Sequence, residues 1–217
     1  MIHNTNLTLP KKMRENYRSI NVTIRDIARE LARRFSTMTH GEIDVLESII
    51  IPMKFRKGEE LLKHGEISKY IFYIHQGLTR QYYVKNNKEM TSRLCIDGDI
   101  VMSVESLFRD KGSNEIIEAL ETCIVYALPK RRLEEIALHN QNIQILYRKI
   151  LEEALIEQQS HADLVRFESA ADRYKRICKE MPQVVLRAPL VFVASYLEMT
   201  PETLSRVRSS TSTESLL

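Results

Sequence analysis

The 217-residue chain has no tryptophan, only six glycines and six prolines, and three cysteines. Cys95, Cys123 and Cys178 are odd in number, widely separated and free of any CxxC spacing. That pattern argues against a zinc or iron–sulfur site, and no cofactor is expected. Cys95 and Cys123 lie in apolar, strand-like runs and read as buried thiols. A reducing cytoplasm fits this usage. The few glycines build no P-loop and no nucleophile elbow, and the six histidines form no metal-spaced cluster, so an enzyme is not expected. Apolar runs such as Ile49–Met53 are far too short to span a bilayer, and no apolar signal core opens the chain. Charge of one sign is also lacking. The net charge is only +3, which by itself demands no nucleic-acid partner.

What remains is ordinary soluble composition, 43% hydrophobic and 28% charged, in a length suited to one large or two small domains. Residues 1–21 read as a polar extension. Val22–Phe35 repeats Ile24, Ile27, Ala28, Leu31 and Phe35 at helical spacing. Thr39-His-Gly-Glu42 is a capping box opening a second helix with Ile43, Leu46, Ile49 and Ile50. From Pro52 to Leu128 the period changes, and short β-type runs alternate with glycine turns, which suggests a sandwich or barrel. Pro129 ends that region. Lys130–His139 reads as a short helix, and Asn142 as the cap of a long one reaching about Phe167. Its face holds Ile143, Tyr147, Ile150, Leu151, Ala154 and Leu155, then Gln158, His161 and Val165. Such a face needs cover from the β region or from a second copy. Ala170–Lys179 is a further helix, closed by Pro182.

Residues 189–208 read as two short helices with a tight turn. Val193, Ala194 and Leu197 share a face of the first, Glu198-Met199 break it, and Thr200-Pro201 supply an N-cap and N1 residue for the second. Leu204 and Val207 are its buried side. Glu202, Thr203, Ser205, Arg206 and Arg208 are its outer side. This is the pattern of a helix-turn-helix whose second helix enters the major groove. Residues 166–208 carry eight Lys or Arg against five acids, an excess that a solvated helical face explains equally well.

In its ordered motifs the chain resembles the catabolite activator (Crp/Fnr) family of bacterial transcription regulators. Lys57-Gly58-Glu59, Leu61-Leu62, Gly65-Glu66, Ile71-Phe72-Tyr73-Ile74, Gly77 and Gly98-Asp99 are similar to that family's cyclic-nucleotide-type β-roll. The helix at 142–167 resembles its dimerisation helix, and Thr200–Arg206 resembles the compact Bacteroidetes members. The resemblance implies an α+β architecture in four parts: a polar extension (1–21), N-terminal helices with a jelly roll (22–140), a dimerisation helix (141–168) and a short, wingless helix-turn-helix domain (169–217). It also implies a cytoplasmic homodimer that binds double-stranded DNA, and no membrane.

The chain departs from the family at the phosphate cassette. Val101–Phe108 replaces the expected Gly-Glu-Leu, and Ser113-Asn114 stand where Arg-Ser would hold a cyclic phosphate. A buried phosphate needs a cationic partner, so cyclic AMP binding is not expected. An effector pocket, if kept for an unidentified small molecule, would involve Ser103, Glu105, Ser106, Ser113, Asn114, Gln158 and Gln159. Gln158 and His161 meet a ligand or, on the simpler reading, tune register in a dimer seam. The resemblance places Glu202 and Arg206 at base-reading positions on helix 201–210, with Thr200, Thr203, Ser205 and Arg208 on phosphates. The tail after Arg208 is rich in Ser and Thr, a poor helix former without a cation. Two alternatives stay open: a ligand-sensing or scaffold dimer that has lost DNA binding, and a haem or redox sensor using His64, His75 or Cys95.

Overall fold

The computed structural model describes residues 22–214; the extension at 1–21 lies outside them. Two helices come first, α1 (Ile24–Phe35) and α2 (His40–Glu47). Each starts on a complete capping box, Thr23 with Asp26 and Thr39 with Glu42. Each box satisfies two amide groups that the helix start would otherwise leave without a partner. Ile49 and Ile50 are buried as expected, though they sit in the turn after α2 rather than on it.

Eight strands follow: β1 (Ile51–Phe55), β2 (Glu60–Leu62), β3 (Tyr70–Gln76), β4 (Thr79–Lys85), β5 (Lys88–Cys95), β6 (Ile100–Val101), β7 (Glu115–Ala119) and β8 (Cys123–Pro129). A short helix, α3 (Val104–Arg109), lies between β6 and β7. The strands form two antiparallel sheets, ordered β1-β8-β3-β6 and β2-β7-β4-β5. Their facing side chains close one apolar core, with Phe72, Ile74, Ile117, Val125 and Ala127 at its centre. β3 and β8 are buried on both faces, which explains their near-continuous apolar runs. Asn86 and Asn87 both have positive φ and turn the β4–β5 hairpin tightly.

α4 (Lys130–Ala137) leads to the long helix α5 (Gln141–Phe167). The cap of α5 is Asn140; Asn142 lies inside it and donates to the Glu42 carboxylate at 3.0 and 3.1 Å. Ile143, Leu146, Ile150 and Ala154 pack into one core with α1, α2 and the outer face of the β3 sheet. The N-terminal helices therefore cover the first half of this face. Leu155, assigned to the same face from sequence, points outward and is 67% exposed, beside Ile156 at 63%.

α6 (Ala170–Glu180), α7 (Pro182–Arg187), α8 (Leu190–Tyr196) and α9 (Pro201–Glu214) complete the chain. Pro182 does not close a helix into a loop; it occupies the first turn of α7, where its missing N–H is tolerated. The tail is not a break either, because α9 runs to Glu214 and so extends beyond the 201–210 segment. Ser209 and Ser210 turn their hydroxyls back onto the Ser205 and Val207 carbonyls, which reconciles these residues with helix. No helix among the described residues is long and apolar enough to cross a membrane.

Candidate nucleic-acid interface and the cleft beside it

The α8–α9 pair has the geometry of a helix-turn-helix. Glu198, between the helices, has φ +50°, a left-handed residue that reverses the chain in a short turn. The Thr200 hydroxyl accepts from the Thr203 amide at 3.2 Å and caps α9. Val193, Ala194, Leu197 and Leu204 are buried together with Tyr174 and Ile177 of α6. The small Ala194 side chain, fully buried, suits this close helix contact. The opposite side of α9 leaves Glu202, Ser205, Arg206 and Arg208 exposed, with Thr203 half-buried. Arg206 Nε approaches the Glu202 carbonyl at 3.5 Å, and no ion pair joins these two side chains. Hydrogen bonds from its own backbone amide and from Thr200 hold the Glu202 carboxyl below its ordinary range. Arg208 lies close to the Tyr174 phenol, whose pKa is raised mainly by burial.

Three contacts seat this helical unit on the β-roll, and sequence reasoning missed all of them. Arg80, on β4, is 1% exposed. Its guanidinium lies between the rings of Tyr82 and Phe192, 4.2 and 3.9 Å from their centroids. Its Nε donates to Thr91 Oγ1 at 2.8 Å, and another nitrogen pairs with Glu89. Ser195 Oγ accepts from the Thr91 amide at 2.9 Å, so α8 satisfies a backbone group on β5. Arg187, on α7, bridges Asp97 and Glu121 in two turns of the roll. The only hint in the sequence was a cation beside the Tyr82-Tyr83-Val84 run of a strand.

The Arg187 bridge carries a pH dependence. Burial alone would raise the Asp97 pKa, but bonds from Arg187 and the Gly77 amide outweigh it and leave it below its ordinary value. A depressed folded-state pKa gives stability that is present above the ordinary carboxylate range and lost as pH falls through the folded value. The stability gap between wild type and Arg187→Gln should therefore be constant near neutrality and shrink below about pH 4. Thermal melts from pH 7 to pH 3 read this directly; a gap independent of pH would remove Asp97 from the bridge.

Between the roll, the second half of α5 and the α6–α8 unit lies an open cleft of about 760 Å³. Of the sequence-predicted effector residues, only Gln158 lines it. Ser103 and Ser113 lie behind its wall. Their hydroxyls are 3.0 Å apart, and Ser103 donates to Glu115 Oε2 at 2.8 Å. The others are elsewhere. Glu105 is exposed and paired with Lys111 at 2.6 Å. Ser106 ties the Ser68 amide to the Lys111 carbonyl. Asn114 faces a separate shallow pocket with His64 and Tyr83, and Gln159 bonds Asp163 along the helix. His161 also lines the cleft, stacked on Tyr196 with ring centroids 4.5 Å apart, its Nε2 2.9 Å from the Tyr196 carbonyl. This contact joins α5 to α8 within one chain.

Cys95 and Cys123 are buried, and burial pushes their thiols up to about 12 and about 11. Thiols held protonated are poor nucleophiles and poor metal ligands. Among the described residues no group of three His, Cys, Asp or Glu side chains is placed to hold a metal ion.

Residues 52–140 match the cyclic nucleotide-binding domain family. The described chain as a whole has the layout of Crp/Fnr-family transcription regulators. Electron transport regulator A of Shewanella oneidensis is 25% identical over 187 residues, covering 79% of this chain and 73% of that protein. The structure of FixK2 from Bradyrhizobium japonicum superposes with a TM-score of 0.67 at 20% identity, covering 77% of this chain and 86% of that one. A CRP/FNR-family transcriptional regulator from Thermus thermophilus gives 0.59 at 18% identity, covering 76% and 87%.

Proposed function

We propose that this protein is a cytoplasmic, homodimeric transcription regulator that reads a near-palindromic DNA site through α9. The observation that carries the reading is the two-sided character of that helix: Leu204 is fully buried against α6 and α8, while Glu202, Ser205 and Arg206 face outward together. Arg206 donates to guanine O6 and N7, Glu202 accepts from a cytosine amino group, and Thr200, Thr203, Ser205 and Arg208 position the helix on phosphates. The exposed Leu155 and Ile156 support pairing of two copies through the second half of α5. A two-fold axis there would set the two α9 helices about one DNA turn, roughly 34 Å, apart. The cleft between roll and helical unit is the place where a small-molecule effector would bias that arrangement. None of this needs a catalytic group.

Selection from a randomised duplex pool, followed by fluorescence anisotropy at two salt concentrations, tests the proposal. A recovered palindrome whose affinity falls with salt supports it. No enrichment at low salt favours a sensing or scaffold dimer that no longer binds DNA. On the recovered site, Arg206→Ala should cost about 1–3 kcal/mol and relax preference at one base pair. Equal losses on specific and random duplexes would instead make Arg206 a phosphate contact.

A further inference from the structure

The wall of the cleft is built around acceptors. Glu115, on β7, is 9% exposed. Its carboxylate receives Ser103 Oγ at 2.8 Å and the Tyr83 phenol, and lies 3.4 Å from Ser92 Oγ, whose shorter bond of 3.2 Å goes to the Gln81 carbonyl; all are neutral groups. Among the described residues, no Lys, Arg or His side chain forms an ion pair with it. A buried carboxylate without a counter-cation is costly, and hydroxyl donors offset only part of that cost.

Gln81, on β4 and 3% exposed, lines the same cleft. Its amide nitrogen donates to the Met102 carbonyl at 3.2 Å, while its buried Oε1 accepts no hydrogen bond within the protein. An unsatisfied buried acceptor is costly, so a donor at this position would be rewarded. The cations that do line the cleft are already engaged: Arg93 with Glu157, and Arg176 with Glu168 and Glu180. Lining carboxylates outnumber them, four (Asp99, Glu115, Glu157 and Glu180) to two. Burial also holds the Asp99 and Glu157 carboxyls above their ordinary range, against the pull of Arg93 and Arg34. The aromatic rings of Tyr83 and Tyr196 complete the wall, and ring faces attract cations.

We infer that this cleft takes a small organic cation bearing N–H donors, an amine or guanidine with an apolar body, whose charged end pairs with Glu115 and donates to Gln81. A cyclic phosphate would meet the same two acceptors with no free cation to neutralise it. The inference rests on the cleft being the regulator's effector site, but its chemistry is testable without DNA.

The experiment is calorimetry on the purified full-length protein with four probes. Agmatine and phenethylamine are the cations. 3-Phenylpropionate, which carries a carboxylate on the same phenethyl body, and cyclic AMP are the anions. The cations should bind measurably and the anions at least tenfold more weakly. Glu115→Gln, which keeps the shape and removes the charge, should weaken cation binding at least tenfold while circular dichroism and melting temperature stay near wild type. Gln81→Met, which removes the acceptor and leaves the carboxylate, should weaken it less and serves as the second variant if Glu115→Gln proves unstable. Binding of the anions in preference, binding of none of the four, or cation binding untouched by both variants would overturn the inference. A protein that binds the cations but selects no DNA would leave this assignment standing and defeat the regulator reading alone.

Discussion

Replacing Arg80 by alanine should destabilise the protein by about 3–5 kcal/mol, the range seen when the largest buried side chains are truncated. Arg80 is among the largest fully buried side chains of the chain, and it fills the seam between the β4–β5 hairpin and α8. Three losses add. The stem leaves a cavity, the guanidinium leaves the faces of Tyr82 and Phe192, and Thr91 Oγ1 loses its donor. The pairing with Glu89 contributes less, because that carboxylate side chain is 51% exposed and water screens it. Arg80→Met keeps most of the stem and should recover about half of the loss, since packing and the charge-on-ring contact are of similar size. Urea denaturation measures both variants. Hydrogen exchange at the Thr91 amide, bonded to Ser195 across the seam, should accelerate in Arg80→Ala well before the roll itself opens. An unchanged denaturation midpoint would show that the helical unit does not depend on this seam.

Gly77→Ala is expected to cost about 2–6 kcal/mol from two additive causes. Gly77 turns the chain between β3 and β4 at φ +126°, a conformation that residues with a Cβ adopt only under strain. An added Cβ would also stand 2.5 Å from Cys123 Sγ and 2.9 Å from the Cys123 Cα. The second contact is with backbone, so no rotamer change relieves it. Adding Cys123→Ala to Gly77→Ala should therefore rescue less than half of the loss. Full rescue in chemical denaturation would mean that the sulfur alone sets the constraint. This position shows why a roll of short strands depends on particular corners: the turn must both reverse and sit flush on the opposite strand.

Much of the fold was legible because it follows local rules. The capping box at Thr39, the N-cap at Thr200, the switch from helical to strand periodicity near residue 51 and the long helix each depend on residues within a few positions of one another. The failures are equally local in origin. Asn142 looked like a cap, but a polar side chain near a helix start can also reach a distant partner, here Glu42. The tail looked like a helix breaker because its intrinsic propensity is poor, yet Ser209 and Ser210 satisfy their hydroxyls on the helix itself. The candidate effector set was carried over from the family resemblance, position by position. Ser113 and Asn114 are neighbours in sequence, but in the bend before β7 Ser113 is buried against Ser103 while Asn114 is exposed, so they do not share a wall.

By itself the sequence determined the order of elements, the glycine corners of the roll and the polar outer face of α9, because periodicity, capping and turn chemistry act over a few residues. Only the tertiary structure decided that Arg80 would lie buried between two parts of the chain, that Glu115 and Gln81 would face one cleft, and that Leu155 would be left outside. Those outcomes join β4 to α8, and set the β4–β7 wall across a cleft from α5, over long stretches of chain. Their energies come from burial and desolvation, which depend on neighbours that no local pattern specifies.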